Sequence, residues 1–328
     1  MIKAVLQQAP VYLLACCMLL VSNAFAGSYL LVPGQSYVRG SGGPVTETLS
    51  FNALDTVSSY TINVYNGGLE DYLNTGELVS SSTISLNGTV LFSPSEFNQN
   101  TTVVTKTINV NASNQLDITL QGKPGGVIVI EIVGEDNVAP LITATAAPVA
   151  NAAGWNNTQV VVSYTCSDGA SGIATCPDAQ TVNVEAATQV ISGTAIDVAG
   201  NQATATVTLN IDQTPPAVSS AAVPLPNANN WNNSAVTVSY TCTDGLSGVA
   251  SCSPPVTLAA EGASQTLTGQ GSDIADNSAS TTHTLNIDLT PPLISTTLSS
   301  PPNASGWYKN DVVVSYQCLS LIHISEPT

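Results

Sequence analysis

The chain has 328 residues, of which 22 are Asp or Glu and 5 are Lys or Arg, giving a formal charge of −17. That balance excludes a nucleic-acid binder, which must neutralise phosphates with basic side chains, and it excludes docking on anionic lipid. Charged residues are only 8% of the chain, so Thr, Ser, Asn and Gln carry the polar surface, and abundant Val, Thr and Ile predict an all-β protein.

The first 26 residues read as a secretory signal. Lys3 supplies a positive start, Val11 to Val21 is apolar, and Ala24-Phe25-Ala26 is an A-x-A cleavage site before Gly27. A lipoprotein signal at Leu14-Ala15-Cys16 is the alternative, but the apolar run continues past that cysteine to the better cleavage site. No other segment approaches the roughly 20 apolar residues that span a bilayer. The expected product is secreted or displayed on the cell surface, with no membrane span.

Residues 27–136 form the first expected module. Tyr60, Ile62 and Val64 alternate, as do Ile84 and Leu86, Ile108 and Val110, and Leu116, Ile118 and Leu120. Val127 to Ile132 is a continuous apolar strand, and glycine turns at Gly67-Gly68 and Gly122 to Gly126 divide the runs. About eight strands in a jelly-roll-like β-sandwich are predicted. The string ISLNGTVLFSPSEFNQN…NQLDITLQGKPGGVIVIEI resembles a module of exported bacterial proteins. Glu70-Asp71 is the notable carboxylate pair, but neighbours on a strand point to opposite faces, so a solvated turn is expected. Tyr65 and Tyr72 could stack on sugar rings, which leaves a carbohydrate-binding role open for this module.

From residue 137 the sequence repeats every 76 residues. Trp155, Trp231 and Trp307 keep that spacing, as do Cys166, Cys242 and Cys318, Tyr164, Tyr240 and Tyr316, and Pro140, Pro216 and Pro292. Cys176/Cys252, Glu185/Glu261, Asp197/Asp273, Asn201/Asn277 and Asp212/Asp288 extend the match between the first two copies. Fixed-period similarity of this kind marks tandem modules, here 137–212, 213–288 and the start of a third over 289–318. Val160, Val162, Tyr164 and Cys166 alternate with Val161, Ser163 and Thr165, predicting a half-buried strand in each copy. Thr204 to Ile211 and Thr281 to Ile287 predict closing strands, and Thr214-Pro215-Pro216 and Thr290-Pro291-Pro292 predict stiff joints.

The string TPP…PNANNWNNSAVTVSYTCTDGLSGVASC…D.ADN resembles the tandem bacterial Ig-like repeats of secreted and surface proteins, over roughly residues 137–318. The resemblance implies Ig-like sandwiches used as stalk, spacer or adhesive modules, with a protein or glycan ligand. It brings no catalytic residues with it.

After signal cleavage five cysteines remain. In an exported chain, Cys166 with Cys176 and Cys242 with Cys252, each ten apart, read as one local disulfide per repeat. Buried thiols and a metal site are the alternatives, although zinc sites favour C-x2-4-C pairs joined by further Cys or His. His283 is a single strand histidine whose counterpart is Val207, and no G-x-S-x-G, P-loop or dinucleotide fingerprint occurs. A non-catalytic protein is therefore expected over 27–318, the alternative being the accessory region of a larger secreted enzyme.

Calcium is the one cofactor the sequence suggests. Asp197-x-x-Gly200-Asn201 and Asp273-x-x-Asp276-Asn277 recur in phase, and Asp136, Asp212 and Asp288 precede the proline joints. Hard cations take carboxylate and carbonyl oxygens, but Asp and Asn equally serve turns by bonding their own backbone. After Cys318 the repeat pattern stops. Residues 319–328, LSLIHISEPT, resemble a translated sequencing adapter, so His323 is given no role and the partner of Cys318 is expected on a continuation of the chain.

Overall fold

A computed structural model describes residues 27–69 and 74–319. The expected signal segment, Glu70-Asp71, Tyr72 and His323 lie outside the described residues. Among those residues everything regular is β-strand apart from a single 3-10 turn at Pro94–Glu96.

The N-terminal sandwich has eight principal strands: β1 (Ser28–Val38), β2 (Thr46–Asn52), β3 (Tyr60–Asn66), β4 (Ser81–Leu86), β5 (Thr89–Phe92), β6 (Val103–Ile108), β7 (Ser113–Gln121) and β8 (Gly126–Glu135). One sheet runs β1-β8-β3-β6 and the other β2-β7-β4-β5. Successive strands therefore cross between the sheets at every step except the β4–β5 hairpin, which is the jelly-roll order. The alternation read from the sequence sets the inner faces: Leu116, Ile118 and Leu120 of β7 point inward, as do Ile62 and Val64 of β3. β8 lies between β1 and β3, and its run from Gly126 to Ile132 is buried throughout. The β1–β8 register slips on either side of Val32, beside Pro33, which has no N–H for the ladder. Tyr60, Phe92, Ile62, Ile84, Leu116, Ile118 and Ile130 are fully buried at the centre.

Each 76-residue copy builds two three-stranded sheets. In the first copy, β9 (Leu141–Ala147), β10 (Val160–Ser167) and β12 (Gln180–Val182) make one sheet, and β11 (Ile173–Thr175), β13 (Ala186–Asp197) and β14 (Gln202–Ile211) the other. The second copy repeats this with β15 (Ala217–Val223), β16 (Val236–Thr243) and β18 (Val256–Leu258), then β17 (Val249–Cys252), β19 (Gly262–Asp273) and β20 (Ser278–Ile287). Val160 and Val162, and their equivalents Val236 and Val238, are completely buried, whereas Ser163 and Ser239 face solvent. The core of the second copy is small: Ala222, Val236, Val238, Leu285 and Ile287, with Tyr240, Leu258 and Leu267 packed on it.

The third copy begins in the same register. β21 (Leu293–Leu298) pairs with β22 (Val314–Leu319) as Leu293↔Leu319 and Leu298↔Val314, which is Ala217↔Thr243 and Ala222↔Val238 moved by one period. Asn151, Asn227 and Asn303 make one shared turn: each side-chain Oδ1 accepts the N–H of Trp155, Trp231 or Trp307 at 2.9–3.0 Å.

The described chain falls into two compact units. The first comprises the described residues up to Ala144 with Tyr164–Asp178 and Ser192–Ala205; the second comprises Thr145–Ser163, Ala179–Ile191 and the described residues from Thr206 onward. The first sequence copy thus contributes residues 137–144, its cysteine loop and the β13–β14 turn to one unit and its remaining residues to the other.

Candidate metal centres

The period brings the same three carboxylates together twice. In the first unit Asp136, Asp168 and Asp197 offer oxygens within 4.8 Å of one another; in the second, Asp212, Asp244 and Asp273 do so. Each arrives by its own turn. Asp168 follows β10 and its Oδ1 accepts the N–H groups of Ala170 (3.1 Å) and Gly172 (2.7 Å), closing the Asp-Gly-Ala-Ser-Gly loop. Asp197 ends β13; its Oδ1 accepts from the Asn201 N–H and its Oδ2 from Asn201 Nδ2, both at 2.8 Å. Asp136 follows β8; its Oδ1 accepts from the Val138 N–H (2.9 Å) and its Oδ2 from the Ser171 N–H (3.1 Å) and Ser171 Oγ (2.6 Å). Asn201 Nδ2 also donates to the Asp136 carbonyl at 2.9 Å, joining two corners of the triad.

The second triad follows this plan. Asp244 Oδ1 accepts from Leu246 (3.1 Å) and Gly248 (2.6 Å), Asp273 from Asn277, and Asp212 from Thr214 and the Ser247 N–H. Asn277 Nδ2 donates to the Asp212 carbonyl at 2.8 Å. The correspondence has one exception. Ser171 Oγ donates to Asp136, but Ser247 Oγ, buried at the equivalent place, has no hydrogen-bond partner among the described residues.

These carboxylates are buried without compensating charge. Asp136, Asp197, Asp212 and Asp273 are between 0% and 3% exposed. The ion pairs among the described residues are Lys106–Glu96 and Lys123–Glu77, both in the N-terminal sandwich. The sequence from 137 to 288 contains no Lys or Arg at all. Like charges about 4.8 Å apart repel by about 3 kcal/mol at an effective dielectric constant near 20. Burial pushes the Asp136 carboxyl up, but the hydrogen bonds from Ser171 and Val138 outweigh it and hold the group below the usual carboxylate range. The first triad therefore keeps an anionic member at neutral pH.

The structure gathers Asp136, Asp197, Asp212 and Asp273 of the five suggested aspartates. Asp288 joins neither triad; it is half-exposed, and its Oδ1 accepts the Thr290 N–H at 3.0 Å. The position one period after Asp244 is 320, outside the described residues. Asp168 and Asp244 were not among the suggested aspartates: each opens an Asp-Gly pair, the ordinary signature of a turn. Their 76-residue phase and the absence of Lys and Arg from both copies were the available signals. Turn and cluster prove compatible, since each aspartate engages its own turn and still reaches the other two.

The cysteines pair as the spacing suggests, Cys166 with Cys176 and Cys242 with Cys252, at Cα separations of 5.9 and 5.8 Å. Cys318 is exposed and has no disulfide partner among the described residues. His283 Nδ1 lies 3.0 Å from Ser220 Oγ. The repeated glutamates fix the proline joints: Glu185 accepts from the Gln213 N–H and Thr214 Oγ1, and Glu261 from the Leu289 N–H and Thr290 Oγ1. In the N-terminal sandwich a groove of about 330 Å³ is lined by Tyr37, Arg39 and Glu47. Tyr37 is buried and Arg39 donates to the carbonyls of Gly40, Gly42 and Gly43, so neither offers a free sugar-stacking face. Tyr65 is half-buried, with its hydroxyl donated to Glu131.

No helix among the described residues is long and apolar enough to cross a membrane. No family model matches the chain, and no curated protein matches it.

Proposed function

We propose that this is a non-catalytic extracellular protein of structural or adhesive role, in which disulfide-stapled Ig-like repeats act as a stalk or spacer. The observation that carries the reading is the pair of equivalent disulfides, each closing the same ten-residue interval in consecutive copies. Disulfides persist in oxidising compartments, and small modules with few core residues gain most from them. Glu185 and Glu261, which clamp the joint threonines, support a spacer whose linkers are held.

The test uses the intact chain. Beads coated with it are presented to a glycan array and to host-surface proteins, with and without prior reduction. A structural stalk predicts survival against extracellular proteases when oxidised and rapid loss when reduced. Selective capture of one glycan class, retained by the full chain with Cys166, Cys176, Cys242 and Cys252 all replaced by serine, would replace the stalk by a lectin-like role. Hydrolysis of any captured ligand would overturn the non-catalytic reading.

A further inference from the structure

We infer that the two aspartate triads are calcium sites, one per 76-residue copy, with Asp212, Asp244, Asp273 and Ser247 Oγ as ligands in the second. This goes beyond the stalk reading and does not depend on it. Oxygens bound to one calcium ion at 2.3–2.6 Å lie at most about 5 Å apart, and the three carboxylates of each triad meet that limit at 4.8 Å. Two of the three in each triad are nearly inaccessible to water, and no Lys or Arg exists anywhere in either copy to neutralise them. Turn N–H groups hold each carboxylate, but they do not cancel the mutual repulsion of three like groups within 4.8 Å, which a bound cation would.

Ser247 supplies an independent sign of a ligand. The residue is 8% exposed, its N–H holds Asp212 Oδ2 at 2.9 Å, and its hydroxyl oxygen is buried without a hydrogen bond. A buried hydroxyl without a partner, on the residue whose N–H holds Asp212, is an oxygen left open for a cation. The donor set is all oxygen and comes from three separate turns. That suits calcium, which accepts variable geometry, better than magnesium, which demands an octahedron and holds its water. Thiolate-seeking metals are disfavoured because the nearby cysteines are in disulfides.

The experiment is calorimetric titration of the full chain, stripped with chelator, with calcium chloride and separately with magnesium chloride, alongside thermal unfolding. Two calcium ions per chain and a melting temperature several degrees higher are expected. D244N should remove one ion, and D168N with D244N both. S247A, which deletes a single oxygen, should weaken only the second site, by about tenfold or more. Circular dichroism and intact mass establish that each variant is folded and oxidised. If D244N fails to fold, S247A carries the test. Absence of binding heat with an unchanged melting temperature overturns the assignment. So does calcium binding unaltered in D168N with D244N, an S247A affinity equal to the parent, or one-for-one displacement of calcium by equimolar magnesium.

Discussion

Gly269 lies directly beneath the ring of Tyr240: a Cβ built on it would stand 2.6 Å from the tyrosine Cγ. One period earlier, a Cβ on Gly193 would stand 2.7 Å from Cζ of Tyr164. The repeat conserves a bare backbone under an aromatic ring, and the ring fills the space a side chain would take. Gly269→Ala should therefore destabilise by about 1–3 kcal/mol through overpacking, and Gly193→Ala similarly. Denaturant unfolding of each variant measures this, and Tyr240→Ala in the Gly269→Ala background should recover part of the loss.

The same tyrosine makes an opposite prediction at its tip. Its hydroxyl is buried with no hydrogen-bond partner among the described residues. Leaving a buried polar group unsatisfied costs about 1–3 kcal/mol, so Tyr240→Phe should raise stability by about 1 kcal/mol. A lower midpoint in urea would show that the hydroxyl has a partner after all.

The staples should contribute measurably. Closing a loop of this length is worth about 3 kcal/mol in the chain-entropy picture. Replacing both Cys242 and Cys252 by Ser should cost about that much, and reduction of the parent chain, which also opens Cys166–Cys176, should cost about twice as much. Calorimetric unfolding under oxidising and reducing conditions checks both.

Asn151 does more than its counterpart in the next copy. Beyond the turn it shares with Asn227, its Nδ2 donates to the Ile274 carbonyl (2.8 Å) and to Asp276 Oδ2 (2.7 Å). Asn151→Ala should therefore cost about 1 kcal/mol more than Asn227→Ala. Equal losses in thermal unfolding would reduce Asn151 to a turn residue.

Lys106 gives a pH signature in the N-terminal sandwich. Its ammonium lies 2.7 Å from Glu96 Oε1, 4.8 Å from the Phe92 ring centre, and donates to the Leu91 carbonyl. The hydrogen bond from Lys106, with help from the Ser93 N–H, holds the Glu96 carboxyl below its ordinary value. A lowered folded value stabilises above the unfolded carboxylate range, near pH 4.3, and that contribution disappears as pH falls through the folded value. The side chains are 38% and 32% exposed, so solvent screening limits the pair to about 1 kcal/mol or less. Lys106→Met should lose this at pH 7 and differ less from the parent at pH 3, as read by urea unfolding at both.

Most of the fold was legible because the sequence carries two independent periods. The two-residue alternation at Leu116, Ile118 and Leu120, and again at Val160 and Val162, states which side of each strand faces inward. The 76-residue period states that the same sheet is built again. The jelly-roll strand order of 27–136 was harder, since β1 and β8 pair across about a hundred residues with no local mark of the partnership. The triads were half legible. Asp136, Asp197, Asp212 and Asp273 stood out by phase, but Asp168 and Asp244 looked complete as turn residues. Their second role depends on a loop from one stretch meeting two others, which spacing does not encode. Asp288 shows the converse: phase alone marked it, but its expected companion position falls outside the described residues.

The cation-free stretch that leaves the triads uncompensated also has a digestive consequence. Trypsin cuts after lysine or arginine, and the sequence offers it no site between Lys123 and Lys309. Both copies should therefore leave a tryptic digest as one uncut peptide, even after reduction and complete denaturation. Against proteases of that specificity the stretch is protected by its alphabet rather than by its fold.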